Sequence, residues 1–109
     1  MATAASDRLH GTLDALILRT LTCGPRHGYA IIRWLRESSA NAIEVEEGSL
    51  YPALYRLERR GWITAEWGVS DQSRKARFYR LTPRGRRQLV AEIARFREFV
   101  AAVSPIFLS

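Results

Sequence analysis

Apolar positions along the chain change period at recognisable points, and those points divide it into elements. Leu13, Leu16, Ile17 and Leu21 recur at helical spacing, with Thr12 as the expected N-cap. The stretch "CGPRHG" ends that helix, because Gly24 and Pro25 punctuate it. Ile31, Ile32 and Leu35 form the stripe of a second helix, which Ser38, Ser39 and Asn41 bring to a close. Ile43 to Val45 alternates and predicts a short strand. A third helix opens near Ser49, and beyond Gly61 the period falls to two. Ile63, Ala65, Trp67 and Val69 then alternate with Thr64, Glu66 and Gly68. A polar turn, "SDQSRK", leads into "ARFYRL", a return strand with Tyr79 and Leu81 on one face. Thr82-Pro83 reads as an N-cap with proline at the first helical position, opening a last helix to about Ser104.

The order is helix, helix, short strand, helix, hairpin, long helix. It predicts an α+β, mostly helical fold: a winged helix-turn-helix domain with a C-terminal helix for dimerisation. The connection from Ser39 to Gly48 is longer than a tight helix-turn-helix turn.

The third helix, "SLYPALYRLERR", has two unlike faces. Leu50, Leu54 and Leu57, with Ala53 beside them, form a core stripe. Pro52 is expected in the first turn, where its missing N–H costs nothing, and this makes Ser49 the expected N-cap. The other face gathers Tyr51, Pro52, Tyr55, Arg56 and Arg59. An ordinary solvated face mixes acids and amides; tyrosines interleaved with arginines suit phosphates and base edges. The bland alternative is that the aromatic stems only pack on their neighbours.

Charge strengthens the first reading. The 109 residues favour one folded domain, and they carry a formal net charge of +6 with a sequence pI near 10.4. Such a balance is biased toward polyanions, nucleic acid first and anionic membrane surfaces second; beside the tyrosine and arginine face, the expected partner is double-stranded DNA. Arg74, Lys75, Arg77 and Arg80 crowd the hairpin tip and return strand, with Asp71 the nearby acid. Beside a Tyr/Arg helix, such a hairpin reads as a wing lying on the DNA backbone or in the minor groove.

Catalytic and metal chemistry find little support. His10, Cys23 and His27 lack metal-ligand spacing, and His27 reads as a turn or packing residue. Cys23 is expected to be a small buried thiol. Glu46 and Glu47 suit a helix N-terminus better than acid–base catalysis. Neither a Gly-rich phosphate loop nor a nucleophile elbow is present, so the expectation is no enzyme and no cofactor. The first residues lack a signal-peptide run and nothing reaches the length of a membrane span, which predicts a cytoplasmic protein with no membrane partner.

In the last helix Leu89, Ile93, Phe96, Val100 and Val103 recur at alternating four- and three-residue steps, a heptad-like seam broadened by Val90 and Phe99. A helix trailing a small domain has little of that domain to bury it. The expectation is a homodimer, with residues 1–82 as the DNA-binding domain and 83–109 as the dimerisation helix. The alternative is a helix folded back on its own domain.

Taken together, "GTLDALILRTL", "GPRHGYAI", "VEEGSLYPALYRLERRGWI", "AEWG" and "RKARFYRLTPRGRRQL" resemble the PadR family of bacterial transcriptional regulators, over roughly residues 9 to 95. With one C-terminal helix, the chain resembles the shorter branch of that family. The resemblance implies a dimeric repressor on an inverted-repeat operator, often controlling transport, efflux or stress genes. It also places Ser49, Tyr51, Pro52 and Tyr55 in the recognition-helix motif and Arg74, Lys75 and Arg77 in the wing. A competing reading is a winged-helix interaction module or antirepressor that does not bind DNA specifically. A further one is a sensor of a small apolar or aromatic effector, with Trp34, Trp62, Trp67, Phe96 and Phe99 lining a pocket at the dimer interface.

Overall fold

A computed structural model of the chain describes residues 4–109, with side chains from residue 12 onward. Helix α1 spans Ala4–Thr20, strand β1 Arg26–His27, α2 Gly28–Ser38 and α3 Glu47–Arg59. The hairpin strands β2 (Ile63–Val69) and β3 (Lys75–Leu81) follow, and α4 runs from Pro83 to Phe107.

Three helices pack around one core. Ile17, Leu18 and Leu21 meet Ile31 and Leu35 of α2 and the α3 face of Leu50, Ala53, Leu54 and Leu57. The three α3 leucines are each 1% exposed or less. Full burial of one such side chain stabilises the fold by roughly 1.5–3 kcal/mol, so this stripe anchors α3 firmly. Ile63 and Tyr79 close the core from the sheet side, and Leu89 from α4.

The caps differ from expectation. Helix α1 begins at Ala4, so Thr12 lies inside it and is no N-cap. The preceding residues include good helix formers, which carry the helix past Thr12. His10 falls among the residues whose side chains lie outside the described set. Helix α3 begins two residues before Ser49: its N-cap is Glu46, whose carbonyl accepts from the N–H of Leu50 at 2.9 Å. Pro52 therefore sits in the second turn, where it has no N–H to offer the Gly48 carbonyl four residues back. Gly48 and Pro52 are both exposed, so this deficit lies on the solvent side.

At its C-terminus α3 closes with a Schellman motif. Gly61 takes φ +74°, and its N–H donates to the Glu58 carbonyl while Trp62 donates to that of Leu57. Helix α2 ends the same way, but with Ala40 in the left-handed position at φ 52°. Ala40 and Asn41 donate to the carbonyls of Glu37 and Arg36. The Ser39 hydroxyl then accepts from the Ile43 N–H at 2.8 Å. Ile43 to Val45 form no strand, although Ile43 and Val45 still pack on the core.

The third strand is instead the two-residue β1, which pairs antiparallel with β3 through Arg26↔Tyr79 and His27↔Phe78, giving the order β1-β3-β2. His27 also caps α2, its Nδ1 accepting from the Ala30 N–H at 3.2 Å. Cys23 is exposed in the turn before β1, not buried.

Along the hairpin, burial decays outward. Register pairs Ile63 with Leu81, Ala65 with Tyr79, Trp67 with Arg77 and Val69 with Lys75. Ile63 and Tyr79 are core residues, whereas Trp67 and Val69 on the same face are 65% and 70% exposed. The tip therefore projects beyond the core as a wing. Its turn is held by the Ser70 hydroxyl, which accepts from the Arg74 N–H at 3.3 Å.

Helix α4 is stitched to the α3–β2 corner at its start. The Thr82 hydroxyl donates to the Gly61 carbonyl at 2.7 Å and accepts from the Gly85 N–H at 3.0 Å. A Cβ on Gly85 would stand 2.0 Å from the Trp62 carbonyl oxygen, so only glycine permits this approach. The boundary expected between residues 82 and 83 thus falls at the start of a helix whose first turns complete the domain core.

Candidate nucleic-acid interface

Anchoring of α3 by its leucines turns the opposite face outward. Ser49, Tyr51, Pro52, Tyr55 and Arg59 are all exposed there. The Arg59 guanidinium lies 5.7 Å from the Tyr55 ring centroid, an i,i+4 cation–π pair. Arg56 is different. It is half-buried and ion-paired to Asp14 of α1 at 2.9 Å, which turns its charge inward.

Tyr51 leans on the first turn of α2. A Cβ at Gly28 would lie 2.7 Å from the Tyr51 hydroxyl oxygen, so the missing side chain makes room for the phenol. Beside it, the wing presents Arg74 and Lys75, both exposed, with the Lys75 ammonium 5.2 Å from the Trp67 ring centroid. Arg77 lies farther in and pairs with Glu58 of α3 at 2.9 Å. Burial pushes the Tyr79 hydroxyl above its ordinary pKa, and the neighbouring Arg77 charge opposes that rise.

Between the start of α2 and the wing, with Tyr51 of α3 at its side, runs an open groove of about 760 Å³. Tyr29, Arg33, Tyr51, Trp67, Arg74 and Arg77 are among the residues that line it. A surface with tyrosine hydroxyls, guanidiniums and an exposed indole is suited to phosphates and stacked bases. Tyr29 and Arg33 were absent from the sequence-based set. Their guanidinium–ring distance of 5.7 Å equals that of Tyr55 and Arg59. The signal was available: a Tyr–Arg pair at i,i+4 opposite an apolar stripe occurs in both helices.

The expected dimer seam divides in two. Leu89 is 5% exposed and belongs to the domain core, and Ile93 packs partly against it. Val103 is half-buried, whereas Phe96 and Val100 are exposed, as are Val90 and Phe99. The first turns of this apolar period are satisfied by the chain's own α1, against which α4 packs. The five aromatic residues expected around an effector do not share one environment. Trp34 packs on the core between the guanidiniums of Arg19 and Arg26, each 5.8 Å from its centroid. Trp62 packs on the core under Arg60, Trp67 stands on the wing, and Phe96 and Phe99 project from α4.

Among the described residues, no group of His, Cys, Asp and Glu is arranged to hold a metal, and no helix is long and apolar enough to cross a membrane.

Known proteins place this geometry. The family model for the transcriptional regulator PadR-like family matches residues 17–91. An uncharacterized protein of Lysinibacillus sphaericus is 33% identical over 98 residues, covering 87% of this chain and 90% of that protein. A transcriptional regulator from Clostridium thermocellum superposes with a TM-score of 0.83 at 26% identity, over 94% of this chain and 99% of that one. A PadR family transcriptional regulator from Eggerthella lenta DSM 2243 gives a TM-score of 0.77 at 32% identity, over 91% and 85% of the two chains.

Proposed function

The chain belongs to the PadR-like family of transcriptional regulators, and from that premise we propose that it is a sequence-specific, dimeric DNA-binding repressor. It acts in the cytoplasm on an inverted-repeat operator, and transport, efflux or stress genes are the expected targets. One observation carries the reading: the tyrosine and arginine face of α3 is turned outward by a fully buried leucine stripe, beside a cationic wing.

In this reading Tyr51, Tyr55 and Arg59 meet base edges and register-setting phosphates, with Ser49 and Pro52 at the entry of the helix. Arg74 and Lys75 lie along the backbone. Arg56 supports α3 through Asp14 and contributes little direct contact. The distal part of α4, with the exposed Phe96 and Val100 and the half-buried Val103, pairs two copies so that two α3 helices face successive half-sites. A small apolar or aromatic effector would find its surface between the paired α4 helices, where Phe96 and Phe99 stand exposed.

Selection of bound sequences from random duplex DNA, followed by titration across salt, tests the proposal. With about six to ten phosphate contacts per dimer, affinity falls roughly 10³- to 10⁵-fold between 50 and 200 mM salt. A symmetric selected site and a steep slope are expected. No enriched sequence, or an affinity flat in salt, would leave the interaction-module reading in its place.

A further inference from the structure

One acid of α3, Glu58, faces the inner part of the cationic wing. Glu58 follows Leu57, whose side chain is fully buried, and precedes the Schellman turn that ends α3. Its backbone is therefore fixed. From that position its Oε2 accepts from Arg77 Nη2 at 2.9 Å. Arg77 lies opposite Trp67, just where the hairpin leaves the core. Among the described residues, this is the one ion pair that joins α3 to the wing, since Arg80–Glu66 stays within the hairpin.

A carboxylate beside phosphates lowers affinity for DNA, so its presence needs a compensating effect. A hairpin supported only at its base can twist, and twisting displaces Arg74 and Lys75 relative to Tyr51 and Tyr55. An ion pair from α3 to the middle of β3 biases the hairpin against that motion. It also keeps one guanidinium from gripping any phosphate of any sequence.

We propose that Glu58 is a positioning and specificity-determining residue: it pins Arg77 to the recognition helix, setting the wing angle and withholding one cation from the DNA backbone. The inference rests on the DNA-binding reading above. Affinity lost at Arg77 is recovered only where the sequence lets α3 and the wing dock together, so discrimination rises as non-specific grip falls.

The test compares the wild type with Glu58→Gln, Arg77→Gln and the double variant, on a selected duplex and on a scrambled one. Both side chains are partly exposed, and thermal melting confirms that each variant folds; Arg77→Met replaces Arg77→Gln if that variant does not. Wild-type protein that binds neither duplex would sink the DNA-binding reading itself. Given specific binding by the wild type, Glu58→Gln should tighten scrambled DNA and narrow the ratio between the duplexes. Each freed guanidinium adds about one phosphate contact, hence about two per dimer, so the loss between 50 and 200 mM salt grows by about 12-fold. In the Arg77→Gln background the same substitution should have no effect. A Glu58→Gln protein with unchanged ratio and slope would overturn the proposal. So would tightening that persists without Arg77, which would mark Glu58 as a mere repulsive charge.

Discussion

Gly28 and Tyr51 belong to different helices, yet each explains the other. The phenol occupies the space that a side chain on α2 would take, and it is itself half exposed. Gly28→Ala should therefore displace a side-chain tip and leave the backbone in place. Its unfolding free energy is expected to stay within about 1 kcal/mol of wild type, the scale of the helix-propensity gain that offsets the contact. Operator affinity should drop by roughly tenfold, or about 1.4 kcal/mol, because Tyr51 loses its seat. Chemical denaturation and DNA titration of the same protein separate the two. At Ala40 the expectation is reversed. An alanine at φ 52° carries strain that glycine lacks, so Ala40→Gly should stabilise the domain by about 0.5–1 kcal/mol. A lower unfolding midpoint in that variant would contradict the assignment. Such details were only partly legible beforehand. The exposed tyrosines and arginines of α3 could be read from their helical phase, but the inward turn of Arg56 and the pairing of Arg77 depend on Asp14 and Glu58, distant in sequence.

At the scale of elements, strong periodicity was readable and weak ends were not. The core stripes of α1, α2 and α3 and the β2–β3 alternation follow from apolar spacing, because burial selects residues at that spacing. Strand β1 has two residues, too few to alternate, and is created by pairing with β3. Ile43 and Val45 show the opposite case, where alternation marks inward packing without a ladder. Helix α4 combines both lessons. Its apolar period is continuous, but the structure divides it between the domain core and an exposed distal half. Ile93→Glu would therefore strike the domain core as well as any dimer. Phe96→Glu is the discriminating change, since Phe96 is 65% exposed in the single chain. It should yield a folded monomer by light scattering and far-ultraviolet circular dichroism, because a carboxylate buried in a dimer seam costs several kcal/mol. Operator affinity should then collapse toward the non-specific level. A Phe96→Glu protein that remains dimeric would move the interface elsewhere.

Across the whole molecule, a net charge of +6 gives attraction to DNA but no choice of sequence. In the proposed function, choice requires the α3 face to be held at a fixed angle to the wing, and two copies in a dimer to sit about one DNA turn apart, roughly 34–36 Å. The proposed function thus rests on a division of labour, in which α3 reads and the wing positions. It is tested most directly by titrating Tyr51→Ala and Lys75→Ala against selected and scrambled duplexes at several salt concentrations. Tyr51→Ala should weaken selected DNA far more than scrambled DNA. Lys75→Ala should weaken both about equally and reduce the salt slope by about one for each copy in the dimer. Equal losses of discrimination in the two variants would contradict the division.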